Sequence, residues 1–492
     1  MDASTRIRCL RNTRSDILKF IVNWVDDPTT QQNVFWLHGL AGSGKSTIST
    51  EIASIFGDSG QLGAFLFFDR DVTERSDSTL VIRTLAHQLA SSDPEIGTAI
   101  RTVLERNSNV LALPLALQFQ KLICDPLSTL GKSSRPIVVV LDALDECGST
   151  AMRASLMDVL ASHLPSSTRT IITSRAEIDI RNEFGSQDHI LAYELDITSA
   201  ANSNDILSYF QSRMFSICTQ KKHLRLEIGW PGEEAFHKLV QRASGLFVWA
   251  STASKFINAH DPKRRLDDVL KKDVASAAEA ALDILYTTAL ETIGSWDDED
   301  FVADFRAIVG IILVARQPLS SSAIDSLLQP CRPSMHTIAY LGCVLQQKPT
   351  IRVLHPSFAD FLMTAKRCKR PTWYFDRSTY HRHLALQCLD QMEAVLTRNI
   401  CNLTLTTDMP TKDLPEELSY SCLFWIKHVC AIADDPVTII DRISVFISRH
   451  LLHWFEAMSV SRRSRDTIAL LDDLAGWISV RFSCYILPYL PR

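Results

Sequence analysis

The chain has 492 residues, 46% of them hydrophobic and 22% charged, with a formal net charge of −5. At roughly 100–200 residues per domain this is a chain of several folded units, and its balance excludes a collagen-like, coiled-coil or broadly disordered polymer. The slight acidic excess gives no general attraction to nucleic acid or an anionic membrane, although Lys263, Arg264 and Arg265 form a local basic run. The basic start from Met1 to Arg14 is not followed by an apolar run with a cleavage site. No stretch of about 18 apolar residues occurs either, so a soluble, cytoplasmic protein without a membrane span is expected. Twelve cysteines, from Cys9 to Cys484, lie scattered without a C-x-x-C pair or zinc-finger spacing, which favours reduced thiols over a disulfide framework or structural metal.

The first third alternates strand-like and helix-like segments, the pattern of a parallel sheet covered by helices. Val34–His38 reads as a strand, Lys45–Phe56 as a helix, Gly63–Phe68 as a strand, and Thr79–Ala90 as a helix with Ile82, Leu85 and Leu89 on one face. Ile137–Leu141, between Pro136 and Asp142, has the branched apolar run of a central strand. Thr170–Thr173 and Ile190–Leu195 complete the sheet, giving an α/β core from about residue 30 to 196. After Ser199 helical periodicity takes over, with Ile206, Phe210 and Met214 on one helix and Phe236, Leu239, Val240 and Ala243 on a second. A third helix, Leu246–Ile257, ends near Asp261 and Pro262. From Phe301 the order is helix, helix after Pro318 and Ser320, helix over Ile338–Leu345, strand Ile351–Leu354 and helix from Pro356, which suits a winged-helix-like unit. The remainder carries helical patterns rich in Trp and Leu, without a repeat of 20–50 residues.

Gly39-Leu40-Ala41-Gly42-Ser43-Gly44-Lys45-Ser46 matches G-x-x-x-x-G-K-[ST] between a predicted strand and a predicted helix. Glycines let backbone N–H groups turn toward phosphate oxygens, Lys45 supplies positive charge to the outer phosphates, and Ser46, followed by Thr47, can ligate Mg²⁺. Asp142, ending an apolar strand, is the expected Mg²⁺ partner. Asp145 and Glu146 follow it, and either could orient or deprotonate an attacking water; the alternative is simple helix N-terminal charge. Arg175, after Thr173 and Ser174, would emerge on the same sheet edge, as a reporter of the γ-phosphate or as a solvated surface cation. No N-K-x-D motif occurs, which disfavours a Ras-type GTPase.

The runs Phe35-Trp36-Leu37-His38-Gly39 to Thr47, Leu141-Asp142-Ala143-Leu144-Asp145-Glu146-Cys147 and Ile172-Thr173-Ser174-Arg175 resemble the NACHT branch of the signal-transduction ATPases with numerous domains (STAND), and within it the fungal NLR-like proteins. Ser244-Gly245-Leu246-Phe247-Val248-Trp249-Ala250 is similar to the family's helical-domain motif, with Phe247 where other relatives carry a base-contacting proline. Leu354-His355-Pro356-Ser357-Phe358-Ala359-Asp360-Phe361-Leu362 resembles a winged-helix segment, which would make His355 a ligand of the ADP β-phosphate. Read without the family, His355 is a satisfied histidine at a helix start. Asn12-Thr13-Arg14, Tyr420–His428 and His453–Met458 extend the likeness over roughly residues 5 to 460.

The resemblance implies an α/β P-loop NTPase core (a parallel sheet with flanking helices) followed by a helical domain, a winged-helix-like domain and a C-terminal helical region. The expected boundaries are 1–30 for an N-terminal linker, 31–198, 199–298, 299–368 and 369–492. It implies ATP or ADP, with GTP as an alternative, and Mg²⁺ as cofactors. The expected activity is slow NTP hydrolysis in an intracellular signalling switch of fungal innate immunity or heterokaryon incompatibility, partnered by self-association or other signalling proteins. A small-molecule P-loop kinase and a non-hydrolysing scaffold are the rival readings. The family also leads one to expect an effector domain before Cys9 and ankyrin, tetratricopeptide or propeller repeats after Trp454, and the sequence contains neither.

Overall fold

A computed structural model describes residues 6–70, 72–107, 109–129, 135–148, 150–161, 165, 167–227, 229–271, 277–292, 296–330, 332–347, 349–401, 414–434 and 437–486. The outer ends of the expected linker and C-terminal region, residues 1–5 and 487–492, lie outside the described residues. The chain divides into two compact units, 1–288 and 289–492.

The first unit is built on five parallel strands in the order β2-β3-β4-β1-β5, namely β1 (Val34–His38), β2 (Leu62–Phe67), β3 (Ile137–Asp142), β4 (Thr168–Ser174) and β5 (Ile190–Glu194). A strand covered on both faces carries a continuous apolar run instead of an alternating one. Accordingly Val34, Phe35, Trp36 and Leu37 of β1 and Val138–Leu141 of β3 are all buried. One face packs a core around Leu66, Leu85, Leu89, Leu122, Leu141 and Leu156; the other packs Phe35, Leu37, Ile48, Ile52 and Val140 under α1 (Ser15–Asp26) and α2 (Lys45–Asp58). Helices also occupy most of the described residues between Ala90 and Ile137, where the sequence reading placed no element; Pro94–Arg106 is one, with Asp93 accepting from the N–H groups of Glu95 and Ile96.

Helices Ala200–Gln220, Glu233–Ala243, Phe247–Ile257 and Pro262–Lys271 follow the sheet. Ile206, Phe210, Met214, Leu239 and Trp249 are buried there, as the 3.6-residue spacing predicts. Gly245, between the second and third of these helices, has φ +79°, and a Cβ added there would lie 2.1 Å from the Ile197 carbonyl oxygen. The buried Asn202 side chain donates to the carbonyls of both Ile197 (2.7 Å) and Gly245 (3.0 Å), which fastens the two segments. Gly245→Ala is therefore expected to destabilise the unit by about 3 kcal/mol or more, since positive φ and a backbone overlap act together. A denaturant midpoint equal to wild type would contradict this.

The second unit begins with helices Glu299–Val314, Ser321–Leu328 and Ser334–Tyr340, then an antiparallel hairpin of β6 (Leu345–Gln346) and β7 (Arg352–Val353), then helix Pro356–Leu362. The expected helix, helix, helix, strand, helix order is met with two differences, an added strand β6 before β7 and a shifted third helix. The third helix ends at Tyr340 instead of running to Leu345, because Leu345 pairs with Val353 across the hairpin. The long helices Arg377–Val395, Glu416–Cys430, Val437–Val460 and Asp466–Ile486 complete the unit. Among the described residues no helix is long and apolar enough to cross a membrane.

Candidate functional site

The carboxyl ends of β1, β4 and β3 bring the sequence-predicted residues to one edge of the sheet. His38 aligns with Ser174, and Leu141 with Ile172, so Asp142 stands level with Thr173 and Leu37. With about 4.8 Å between neighbouring strands, Asp142 lies roughly 10 Å across the sheet from the strand that feeds the glycine-rich loop. Strand β4 runs between them and delivers Thr173, Ser174 and Arg175 into that gap.

The loop Gly39–Gly44 closes on α2 with Gly42 at φ +78° and Gly44 at φ +99°, the left-handed region in which a side chain is strained. Gly44 precedes α2 without any side-chain cap, so the first N–H groups of that helix have no intrahelical acceptor and are available to an anion. Lys45 folds over the loop, its Nζ donating to the carbonyls of Gly39 (2.9 Å) and Leu40 (2.8 Å). Burial pushes its ammonium pKa down from 10.5 to about 8, against the opposing pull of Asp145. Ser43 is fully buried, Ala41 and Ser46 are half-buried, and the Thr47 hydroxyl donates to the Gly44 carbonyl at 2.8 Å.

Asp142 is completely buried. Thr173 donates to its Oδ1 at 2.6 Å and accepts from the Ala143 N–H at 3.0 Å. The other carboxylate oxygen, Oδ2, lies 2.9 Å from Nη1 of Arg6, but no N–H is aligned on it and it has no hydrogen-bond partner among the described residues. A buried anionic oxygen that faces a cation with no aligned hydrogen bond is a position that fits a positive ion. Ala143 adopts φ +62°, turning the chain sharply after β3. That turn carries Asp145 back to β4, where its Oδ1 accepts from the Arg175 N–H at 2.9 Å and its Oδ2 pairs with Arg175 Nε at 3.2 Å. Arg153, itself buried, braces the turn by donating to the Asp145 carbonyl (2.9 Å) while paired with Asp179 and Glu177. Glu146 is half-buried beside them.

Sequence reasoning missed the arginines that hold the loop from behind. Arg14, buried and at φ +59°, donates from Nη2 to the Ser43 carbonyl at 2.5 Å and stacks its guanidinium 4.6 Å from the Phe247 ring centroid. Its main-chain N–H donates to Asp205 at 2.9 Å. The Val248 N–H donates to the Gly42 carbonyl at 3.0 Å, so the start of helix Phe247–Ile257 is bonded directly to the loop. The signal available was the Asn12-Thr13-Arg14 run, which by itself names no partner. His355, in the second unit, caps its helix: Nδ1 accepts from the Ser357 N–H at 3.2 Å and lies 2.7 Å from the Ser357 hydroxyl.

The strand order, the glycine-rich loop and the acid-terminated strand together define an α/β core of the P-loop NTPase type. The family model described as nephrocystin 3, N-terminal, matches residues 13–175. No curated protein matches the chain. Among solved structures, the chain is similar to a Signal Transduction ATPase with Numerous Domains protein bearing a tetratricopeptide repeat sensor, from Pyrococcus horikoshii. That match has 13% identity and a TM-score of 0.45, and covers 98% of this chain and 58% of the other. The chain thus spans little more than half the length of that protein. It is also similar to Cdc6p from Pyrobaculum aerophilum, at 12% identity and TM-score 0.32 over 75% of this chain and 97% of the other. A third match is the Drosophila ORC bound to DNA, at 12% identity and TM-score 0.34 over 68% of this chain and 81% of the other.

Proposed function

We propose that the chain is a nucleotide-dependent molecular switch of the STAND type, of the NACHT and NLR-like kind, which binds ATP or ADP with Mg²⁺ and hydrolyses the triphosphate slowly. The observation that carries this reading is the desolvated Lys45 ammonium, held over a glycine-rich loop on the sheet edge that also carries the buried Asp142. A fold that keeps a charge in so costly a place has a use for it.

In this reading the amides of Gly39, Ala41, Gly42, Ser43 and Gly44 and the start of α2 receive the phosphates, with Lys45 on the outer ones and Thr47 securing the loop. Asp142 and Ser46 would hold Mg²⁺, which when bound would neutralise phosphate charge. Among the described residues no group of three or more His, Cys, Asp or Glu side chains could hold a metal ion. In this reading Asp145, bonded to Arg175, forms a positioning pair that reads the γ-phosphate, and Glu146, next in the chain after the strand-end acid, orients the attacking water. The switch needs a nucleotide with unequal affinity for two arrangements of the chain. Residues 199–298 and 299–368 would then act as the helical and winged-helix-like domains of the switch, and self-association as its output in fungal signalling.

Native mass spectrometry of the freshly purified chain tests the core claim: a bound adenine or guanine nucleotide is expected, and loss of that mass in Asp142→Ala. Glu146→Gln is expected to slow single-turnover hydrolysis about 100-fold or more while leaving binding nearly unchanged, since a positioned base contributes about 10²–10⁴. A Glu146→Gln chain that hydrolyses at the wild-type rate would remove that residue from the mechanism.

A further inference from the structure

The nine-residue segment 6–14 reaches both halves of the candidate site through its two ends, Arg6 and Arg14. At one end, Arg6 stands 2.9 Å from Oδ2 of Asp142, an ion pair without an aligned hydrogen bond. Its guanidinium lies 4.3 Å from the centroid of Phe67, the β2 residue in register with Asp142, and Arg75 stacks on the same ring at 4.6 Å. At the other end, Arg14 grips the Ser43 carbonyl of the loop. Between them, Thr13 closes a turn onto the Leu10 carbonyl through both its N–H and its hydroxyl.

The two anchors differ in kind. Arg14 has three fastenings, to Ser43, Asp205 and Phe247, and is buried. Arg6 is partly exposed and faces Asp142 by charge proximity without an aligned hydrogen bond. A guanidinium and a divalent cation are mutually repelling and would compete for the same carboxylate oxygen, in a buried setting where repulsion is poorly screened. The weaker end is therefore the one that a metal would dislodge.

We propose that residues 6–14 form a strap whose Arg6 end occupies the cation-facing oxygen of Asp142 and is displaced when Mg²⁺ arrives with nucleotide, while Arg14 stays fixed. The inference rests on the nucleotide reading above. It makes Arg6 a competitor that sets the divalent-cation affinity, and it makes release of the strap a signal that the site is loaded.

Hydrogen exchange of the full chain tests it, with peptides covering residues 6–14 followed for the free protein, with ATP in EDTA, and with Mg²⁺–ATP. Exchange in the Arg6–Leu10 part is expected to rise about tenfold with Mg²⁺–ATP only, with Thr13 and Arg14 unchanged. Mn²⁺ titration of the ATP-bound chain, followed by electron paramagnetic resonance, is expected to give an affinity about tenfold higher for Arg6→Ala than for wild type, and near wild type for Arg6→Lys. Unchanged exchange in a chain that calorimetry shows to have bound Mg²⁺–ATP overturns the strap alone, as does equal Mn²⁺ affinity of Arg6→Ala and wild type. A wild-type chain that binds no nucleotide by calorimetry overturns both the strap and the reading beneath it.

Discussion

Lys45→Met is expected to abolish measurable nucleotide binding without lowering the stability of the free chain. The two halves of this outcome have separate causes. In the proposed reading Lys45 would give a triphosphate charge-assisted hydrogen bonds in a desolvated setting, each worth about 1.5–3 kcal/mol, so affinity should fall about 100-fold or more. Within the free chain the same ammonium is a burden, because burial outweighs the attraction of Asp145 and lowers its pKa from 10.5 to about 8. That shift corresponds to about 3 kcal/mol against the charged form at neutral pH, as the net of all its interactions. Because the folded pKa lies below the unfolded one, the unfolded chain binds more protons between pH 8 and 10.5, and the Lys45 contribution to stability rises across that window. Below pH 8 the cost is present in full. Met keeps the length and apolar stem of the side chain while discarding the charge, so the unfolding midpoint should hold or rise. Calorimetry with Mg²⁺–ATP beside urea denaturation at pH 7 and 9.5 checks both halves. A variant that binds nucleotide as wild type does, or unfolds several kcal/mol more easily, would show that Lys45 is a structural residue.

How far the sequence could reach follows from the range of each interaction. The loop, α2 and β3 were readable because their signals are local: a glycine-rich loop needs its glycines in one run, and a strand covered on both faces needs an unbroken apolar stretch. The α/β core and the placement of Asp142 at a strand end beside the loop strand's neighbour are what those patterns imply. The pairing of Asp145 with Arg175 was not readable, since it depends on the left-handed turn at Ala143, a residue with no special preference for that conformation. Arg14 escaped for a different reason: its partners Ser43 and Asp205 are 29 and 191 positions away, and an arginine before a helix looks like any solvated cation. Likewise the hairpin partner of Leu345 lies eight residues downstream, and helical periodicity carried the third helix of that unit past its end.

Acidification is expected to loosen the second unit well before its carboxylates titrate, because two of its buried histidines have no room for a second proton. His381 Nδ1 lies 2.9 Å from His428 Nδ1, His428 Nε2 lies 2.8 Å from the Tyr420 hydroxyl, and the Arg316 N–H donates to that hydroxyl oxygen at 3.0 Å. In one arrangement of protons along this chain, Tyr420 accepts from Arg316 and donates to His428 Nε2, and His428 donates from Nδ1 to His381, whose own proton is on Nε2. An additional proton on His381 Nδ1 would put two protons between nitrogens 2.9 Å apart, and one on His428 Nε2 would collide with the Tyr420 proton. Burial and the nearby Arg316 and Arg377 accordingly lower the His381 pKa from 6.5 to about 3, while burial, His381 and Arg316 push that of His428 well below 6.5. Since both folded values lie below the unfolded one, the unfolded chain binds more protons as pH falls through 6.5, and stability is lost in that direction. Two such groups amount to about 2.5 kcal/mol between pH 7 and 5.5, a large share of the few kcal/mol by which domains are stable. Native-state hydrogen exchange in helices Arg377–Val395 and Glu416–Cys430, which carry the pair, should report that loss, and His381→Gln should reduce its slope by about half. Equal protection of both helices at pH 7 and 5.5 would mean that the network admits a proton, and that its geometry in solution differs from the one described.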